Sequence, residues 1–385
     1  MPKVLILGAR APVALDHARR FAAQGWDVLV GDSISCRISG WSRAVRATIA
    51  LPPPRTALSA YLRSLAEAID SHGVDLIVPT CEEAFYLARI RDRLPRRARI
   101  AVADFDTMRA LHSKWRFLKI AADCGIPVPD SRLVANIDDA RAWADGRGIA
   151  LKPEYSRFGV HVRLYPDGMP AQAPAFGVAG DWVAQAFCRG RELCSYSVAD
   201  RGRLLAHVVY RPTHRLGASS SYWFQRCEVP AIRDGVRALV EALGYTGQIS
   251  FDWIEDADGV ARALECNPRA ISGVHLFGSG DDLPGALCGT SSVCVEPGAD
   301  APRMIAAVML SAGLGAGLRE RRYRAWRRDW RAARDVIAAD GDRAPLLGAF
   351  ADLGAYAWRA ARQGCSLREA ATRDIEWDGD AMAAP

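Results

Sequence analysis

The stretch FDWIEDADGVARALECNPR, Phe251 to Arg269, carries an Asp-Gly pair between two runs of alternating character. Asp258-Gly259 predicts a two-residue hairpin turn, because a type I′ turn needs positive φ at both central positions. The register that follows pairs Ala257 with Val260, Ile254 with Ala263, Trp253 with Leu264 and Asp252 with Glu265, and sets Phe251 opposite Cys266. Strand alternation then gathers Phe251, Trp253, Leu264 and Cys266 on an apolar face and Asp252, Glu265 and Asn267 on the other. Directly opposed carboxylates have Cβ atoms about 5 Å apart and repel. A proton, a basic side chain or a cation relieves the repulsion. Two carboxylates and an amide oxygen are hard ligands, suited to Mg²⁺ held jointly with substrate phosphates. The alternative is a solvated edge hairpin with a longer loop and a shifted register.

Of the 50 basic residues only Lys3, Lys114, Lys119 and Lys152 are lysines. A compact ammonium and a guanidinium are not interchangeable on a phosphate, so a lysine in this arginine-rich background invites a reason. Lys152 stands between Leu151 and Pro153 in a strand pattern, an unusual place for an idle charge. Lys119 reads as helix surface.

These side chains need elements to hold them. The run KVLILG, a helix from about Ala11 to Gln24 and the strand WDVLVGD open a βαβ pattern, so a parallel sheet is expected. The connection GARAPVA lacks the GxGxxG fingerprint, which argues against a dinucleotide site, and Asp32 reads as a turn residue. A helix over 56–71, the strand VDLIVPT, a helix from Glu82 and the strand ARIAVAD complete an open α/β domain over 1–108. A helix from Ser113 to Cys124 follows, ended by Gly125 and two prolines, then a helix around Asp138–Gly146 and the strand IALKPEY. SRFGVHVRLY reads as a turn leading into another strand, with His161 a strand residue, and further strands are expected at DWVAQAF, at RELCSYSVAD and at LLAHVVYRP. A helix over Ala231–Leu243 precedes the hairpin, and the chain is mainly helical after Pro302, with Ser366 and Glu369 spaced as a helix N-cap.

At 385 residues the chain suggests several domains or subdomains. No apolar run approaches a membrane span, no signal-peptide pattern opens the chain, and ten scattered cysteines without a CxxC pair fit free thiols in a cytoplasmic protein. The net charge of +6 is mild. The run RERRYRAWRRDWRAAR, Arg319 to Arg334, reads as one amphipathic helix with a solvated face rather than a nucleic-acid surface.

In this order and spacing the features resemble the ATP-grasp ligases, in the branch laid out like biotin carboxylase and carbamoyl phosphate synthetase. The resemblance covers about 1–300. It is carried by Ser113-Lys114, by Leu151-Lys152-Pro153 and the loop beyond, and by Gln185 to Cys188 with Gly190 and Glu192. Asp252, Glu265, Asn267 and Arg269 complete it. It implies an α/β and α+β architecture: the N-terminal open parallel-sheet domain, an ATP-grasp domain over 109–300 and a helical extension over 301–385. Within the middle domain it implies a lid subdomain at about 125–185 and the metal-binding hairpin at about 248–269.

The resemblance further implies ATP and Mg²⁺, with Mn²⁺ as a substitute. Lys114 and Lys152 would hold phosphates, Ser156, Arg157 and Gly159 would cradle the γ-phosphate, and Gln185, Ala186, Phe187 and Cys188 would face adenine. Glu192 would take the ribose, Asp252, Glu265 and Asn267 the metal, and Arg269 the transferred phosphoryl group. The phosphate-covering loop EYSRFGVHV departs from the family in having one glycine. The implied reaction makes an acyl phosphate from a carboxylate and ATP, then an amide with a small-molecule amine. Arg211 and Arg215 are candidates to clamp a carboxylate, and Glu82 and Glu83 to attract an amine. Bicarbonate chemistry of the carboxyphosphate type, or a silent ATP-binding regulator, are the competing readings, and residues 301–385 would complete the fold, form a dimer contact or close over substrate.

Overall fold

The computed structural model describes residues 1–35, 37–156, 161–177, 180–216, 220–298, 301–380 and 382. Its first sheet has five parallel strands in the order Ala47–Ala50, Asp27–Asp32, Lys3–Leu7, Leu76–Val78, Arg99–Ile100. The central strand is apolar on both faces because helices cover both; Val4, Leu5, Ile6 and Leu7 are fully buried. The helix Pro12–Ala23 starts with proline at its first turn, where a missing N–H costs nothing, and Leu58–His72 ends on Gly73 in the left-handed conformation. Two of the elements that go beyond the sequence expectations lie here. The strand Ala47–Ala50 alternates over only four residues, too short a period to stand out, and the helix Phe105–His112 is announced by Asp104, whose carboxylate accepts from Thr107 N at 2.8 Å.

A four-stranded antiparallel sheet follows, in the order Ser131–Val134, Trp182–Ala186, Ile149–Pro153, Arg163–Tyr165. His161, expected in a strand, instead sits exposed in a turn at φ 67°. The largest sheet orders Ala261–Asn267, Gly247–Glu255, Arg191–Asp200, Arg203–Leu216, Ser220–Cys227, Arg303–Met304 and Arg334–Asp335. One core joins this sheet to the first, since Leu5, Phe85, Phe117, Phe251, Trp253 and Trp377 belong to a single buried cluster. A displacement of either sheet would therefore disturb shared packing.

The C-terminal helices close back on the first sheet. Arg10, expected in a plain connecting loop, ion-pairs with Asp32 and lies 2.8 Å from Asp374, while its Nη1 also donates to Ala371 O at 2.7 Å. Asp32 is thus a buried strand-end partner rather than a turn residue. Ser366 and Glu369 form a reciprocal capping box at the helix Leu367–Thr372. Arg10→Met would strand two buried carboxylates and is expected to cost about 3–5 kcal/mol, the range for breaking a buried ion pair from one side. The denaturant midpoint measures it, and a loss under about 1 kcal/mol would show that the network carries little. The run Arg319 to Arg334 is not one helix: Leu314–Arg319 and Tyr323–Ala332 are separated at Arg321, whose φ is 57°. Trp326 is buried there and donates to Met309 O at 2.9 Å. Among the described residues no helix is long and apolar enough to cross a membrane.

Candidate functional site

The hairpin brings Asp252 opposite Glu265, Phe251 opposite Cys266 and Ser250 opposite Asn267. It does so by a different route from the two-residue turn. Glu255 pairs with Ala261, leaving a five-residue loop in which the Asp256 carboxylate accepts from Asp258 N at 3.0 Å and Val260 N at 2.9 Å. The outer pairs are consequently Ile254 with Arg262 and Trp253 with Ala263, one residue off the expected register. A bulge at Leu264 restores it before the carboxylates. The bulge also corrects the expected apolar face: Ala263 is the buried partner, and Leu264 turns to line the cleft beside Glu265.

That cleft encloses about 940 Å³ between the three sheets and the C-terminal helices. Lys152, Gln185, Ala186, Phe187, Cys188, Glu192, Asp252, Glu265, Asn267, Arg269, Glu82 and Arg215 all line it. At one end Ala150, Leu193, Ile254 and Leu264 make apolar walls around the linker after Trp182–Ala186. The linker enters the next strand at Gly190, where a Cβ would meet Glu255 O at 2.1 Å, so only glycine permits the approach. Ala186 N donates to Asp130 O at 2.8 Å and Phe187 N to Gly148 O at 2.9 Å. The Cys188 amide has no hydrogen-bond partner among the described residues.

In the middle, charges are crowded. Lys152 Nζ donates to Gln185 Oε1 at 2.8 Å, and both residues are buried. Lys114 follows the N-cap Ser113 and is buried; its Nζ donates to Ser156 O at 2.6 Å and lies 3.9 Å from Glu265 Oε2. Burial pushes both lysines below their usual range, and Glu265 is the largest counterweight to that push. Burial and then the Glu265 charge drive the Asp252 carboxyl up to about 7, and the two carboxyls share a hydrogen bond. Burial also pushes Glu265 up, but Lys114 and Lys152 outweigh it and hold this acid well below its usual range. Of the facing pair, Asp252 is thus the carboxyl that takes up a proton more readily and Glu265 the one that holds its charge. Arg269 Nη2 reaches Asn267 Oδ1 at 3.4 Å and Glu82 Oε1 at 3.7 Å. Among the described residues no three His, Cys, Asp or Glu side chains form a self-sufficient metal cage. Two carboxylates and an amide suit Mg²⁺ only with further oxygens from phosphates or water, which is how that ion is usually held.

The substrate candidates divide. Glu82 lines the cleft and accepts from Trp377 N at 3.2 Å. Glu83 turns away and accepts from Thr80 N at 2.8 Å and Cys81 N at 3.0 Å, so it braces the loop instead of meeting a ligand. Arg211 is exposed and outside the cleft, because its strand neighbours Tyr210 and Pro212 take the inward positions. Arg215 lines the cleft but ion-pairs with Glu192, the ribose candidate. Arg157 and Gly159 lie outside the described residues. Arg10, Ser272, His275, Tyr356, Thr372 and Ile375, which no sequence motif singles out, also line the cleft. Only folding assembles them; among them Ser272 and His275 stand close in sequence to a motif, three and six residues past Arg269.

No model of a known protein family matches the sequence, and no curated protein matches it. Solved structures do. N5-carboxyaminoimidazole synthetase from Staphylococcus aureus is similar over 83% of this chain and 85% of its own, at 14% identity and a TM-score of 0.63. The biotin carboxylase domain of Hydrogenobacter thermophilus 2-oxoglutarate carboxylase, solved as a dimer with MgADP, ADP and bicarbonate, is similar over 74% of this chain and 68% of its own. Its identity is 16% and its TM-score 0.57. L-amino acid ligase from Bacillus licheniformis is similar over 71% of this chain and 68% of its own, at 16% identity and a TM-score of 0.51. The chain therefore has the ATP-grasp fold, with an N-terminal parallel sheet and a helical C-terminal segment.

Proposed function

We propose that the protein is an ATP-dependent ligase that activates a carboxylic acid as an acyl phosphate and joins it to an amine. The observation that carries this is the convergence in one cleft of Lys152, Arg269 and the Asp252–Glu265–Asn267 set, with Lys114 at Glu265 and an apolar slot beside the Cys188 amide. A carboxylate resists nucleophiles because it is charged and resonance-stabilised. Transfer of the γ-phosphoryl group of ATP to it makes ADP and a mixed anhydride with a leaving group. Lys114, Lys152 and Arg269 would bind and align the phosphates, offsetting charge on the transferred group as it moves. Asp252, Glu265 and Asn267 would hold Mg²⁺, which when bound supplies charge neutralisation to the phosphate oxygens.

The cleft lies near the top of the ~300–1,000 Å³ typical of small-molecule sites, leaving room beside a nucleotide for organic reactants larger than bicarbonate. The testing experiment incubates the protein with Mg-ATP and pooled carboxylic acids, with hydroxylamine to trap acyl phosphates, and reads ADP and hydroxamate. Acid-dependent formation of both is expected. Nucleotide binding without either product would point to a regulator instead.

Cation binding should also depend on pH. Because the Asp252 carboxyl is raised to about 7, Mn²⁺ must displace a proton below that pH, so Mn²⁺ affinity in the presence of ADP is expected to fall as the solution is acidified from pH 8 to pH 6. Titration of the Mn²⁺ paramagnetic signal measures this. Affinity flat across the range would show that no proton on Asp252 competes with the cation.

A further inference from the structure

We propose that His275 is the base that takes a proton from the incoming amine, an inference that rests on the ligase reading above. His275 sits in the short turn Ser272–Leu276 and lines the cleft with Arg269, Ser272 and Ile305. Its Nδ1 is hydrogen-bonded to Asp16 Oδ2, from the helix Pro12–Ala23. The other oxygen of Asp16 lies 3.5 Å from Arg20 Nη1, and Arg20 donates in turn to Phe277 O. Burial alone would push the Asp16 carboxyl up, but Arg20 and His275 hold it well below the usual range, so it stays an acceptor. With the Nδ1 proton committed to Asp16, the lone pair resides on Nε2. Nε2 has no hydrogen-bond partner among the described residues, and the ring lies over Phe224 at 5.8 Å and 26°.

Two other histidines show what a structural imidazole looks like here. His17 bonds Gln248 through Nε2 and His207 bonds Ser197 through Nδ1, and the remaining nitrogen of each is sealed in the core without a partner. Burial pushes both down to about 3, so neither exchanges protons near neutrality. His275 differs in having an oriented carboxylate behind it and the cleft in front, the arrangement in which an acid fixes the tautomer of a general base and stabilises its imidazolium.

The chemistry has a use for such a base. An amine reaches the site as an ammonium, its lone pair masked by a proton. Transfer of that proton to Nε2 leaves a neutral amine and an imidazolium paired with Asp16. The amine nitrogen attacks the acyl carbon, a C–N bond forms, and the C–O bond to phosphate breaks with its electron pair leaving on inorganic phosphate. The second nitrogen proton departs with the phosphate, and the imidazolium returns its proton to solvent.

Hydroxylamine separates this role from the rest of the reaction, because it is largely unprotonated at neutral pH and needs no base to expose its lone pair. The full chain and His275→Gln are assayed with Mg-ATP and pooled carboxylic acids, once with hydroxylamine and once with pooled primary amines. Hydroxamate is expected to change less than about threefold while amide falls about a hundredfold or more, the usual contribution of a positioned base. Asp16→Asn is expected to lose amide to a lesser degree with hydroxamate again retained. Equal loss of both products, or amide unchanged, would overturn the proposal. Independently of any substrate, the ¹⁵N spectrum of His275 should show Nδ1 protonated and Nε2 bare. The opposite tautomer overturns the base even where hydroxamate forms, whereas the expected tautomer without hydroxamate from the wild-type protein overturns the ligase reading and the role with it.

Discussion

Glu265→Gln is expected to lower acid-dependent ADP formation about 10³-fold while leaving the protein folded. The substitution keeps volume and one oxygen but removes the charge on which three other charges depend. Lys114 Nζ lies 3.9 Å from Glu265, and the Glu265 charge is the largest favourable influence on both buried lysines. Without it, burial of the two ammonium groups is uncompensated, and both shift further toward the neutral form. Asp252 moves the opposite way: losing its facing charge, it ionises more readily. The site would then have one carboxylate for a cation and two weakened partners for the phosphates. Each lost electrostatic contact to a transferring group typically costs 10²–10³ in rate, so the compound loss sits at or above the upper figure. ADP release by a coupled assay measures it, with the thermal midpoint as folding control. A variant keeping more than about a tenth of wild-type turnover would remove the hairpin from the mechanism.

The hairpin also shows how far sequence alone reaches. The Asp-Gly pair located the turn and the pairing of Asp252 with Glu265 came out as expected, yet the outer register did not. Asp256 caps a five-residue loop and Leu264 bulges, and these two shifts cancel before the carboxylates. Loop length and bulges are decided by side chain–backbone bonds of a few kcal/mol at most, below what an alternating pattern can signal. The buried strands and amphipathic helices were legible because burial imposes their periods. Glu83 and Arg211 were misassigned for a related reason: residue type told that they could bind a ligand, and only strand alternation and the loop Thr80–Glu83 told which way they point. Least legible was the far wall. Asp16 and His275 are 259 positions apart, and Arg10 and Asp374 are 364 apart, joined by shared packing that no local pattern announces.

Lys152→Met is expected to abolish the nucleotide-induced rise in melting temperature while leaving the melting temperature of the nucleotide-free protein within a few degrees of wild type. Two opposing changes set the second half of that expectation. Methionine leaves the buried Gln185 Oε1 without its 2.8 Å donor, at a cost of about 1–3 kcal/mol. It also removes a desolvated ammonium, and replacing a buried charge by an apolar side chain of similar length is often neutral or favourable by a similar amount. A lysine kept for stability would not show this balance. Nucleotide binding has no such offset: a charge-assisted contact to phosphate is worth about 1.5–3 kcal/mol, or roughly a ten- to hundredfold change in affinity. Lys152→Arg should not rescue it, because a planar fork does not fit where a single ammonium is enclosed beside Gln185. Thermal melts with and without Mg-ADP at fixed concentration read both halves at once. A variant that melts far below wild type yet still shifts with nucleotide would reassign Lys152 to the fold, since the ammonium would then be stabilising the strand Ile149–Pro153 and not the phosphates.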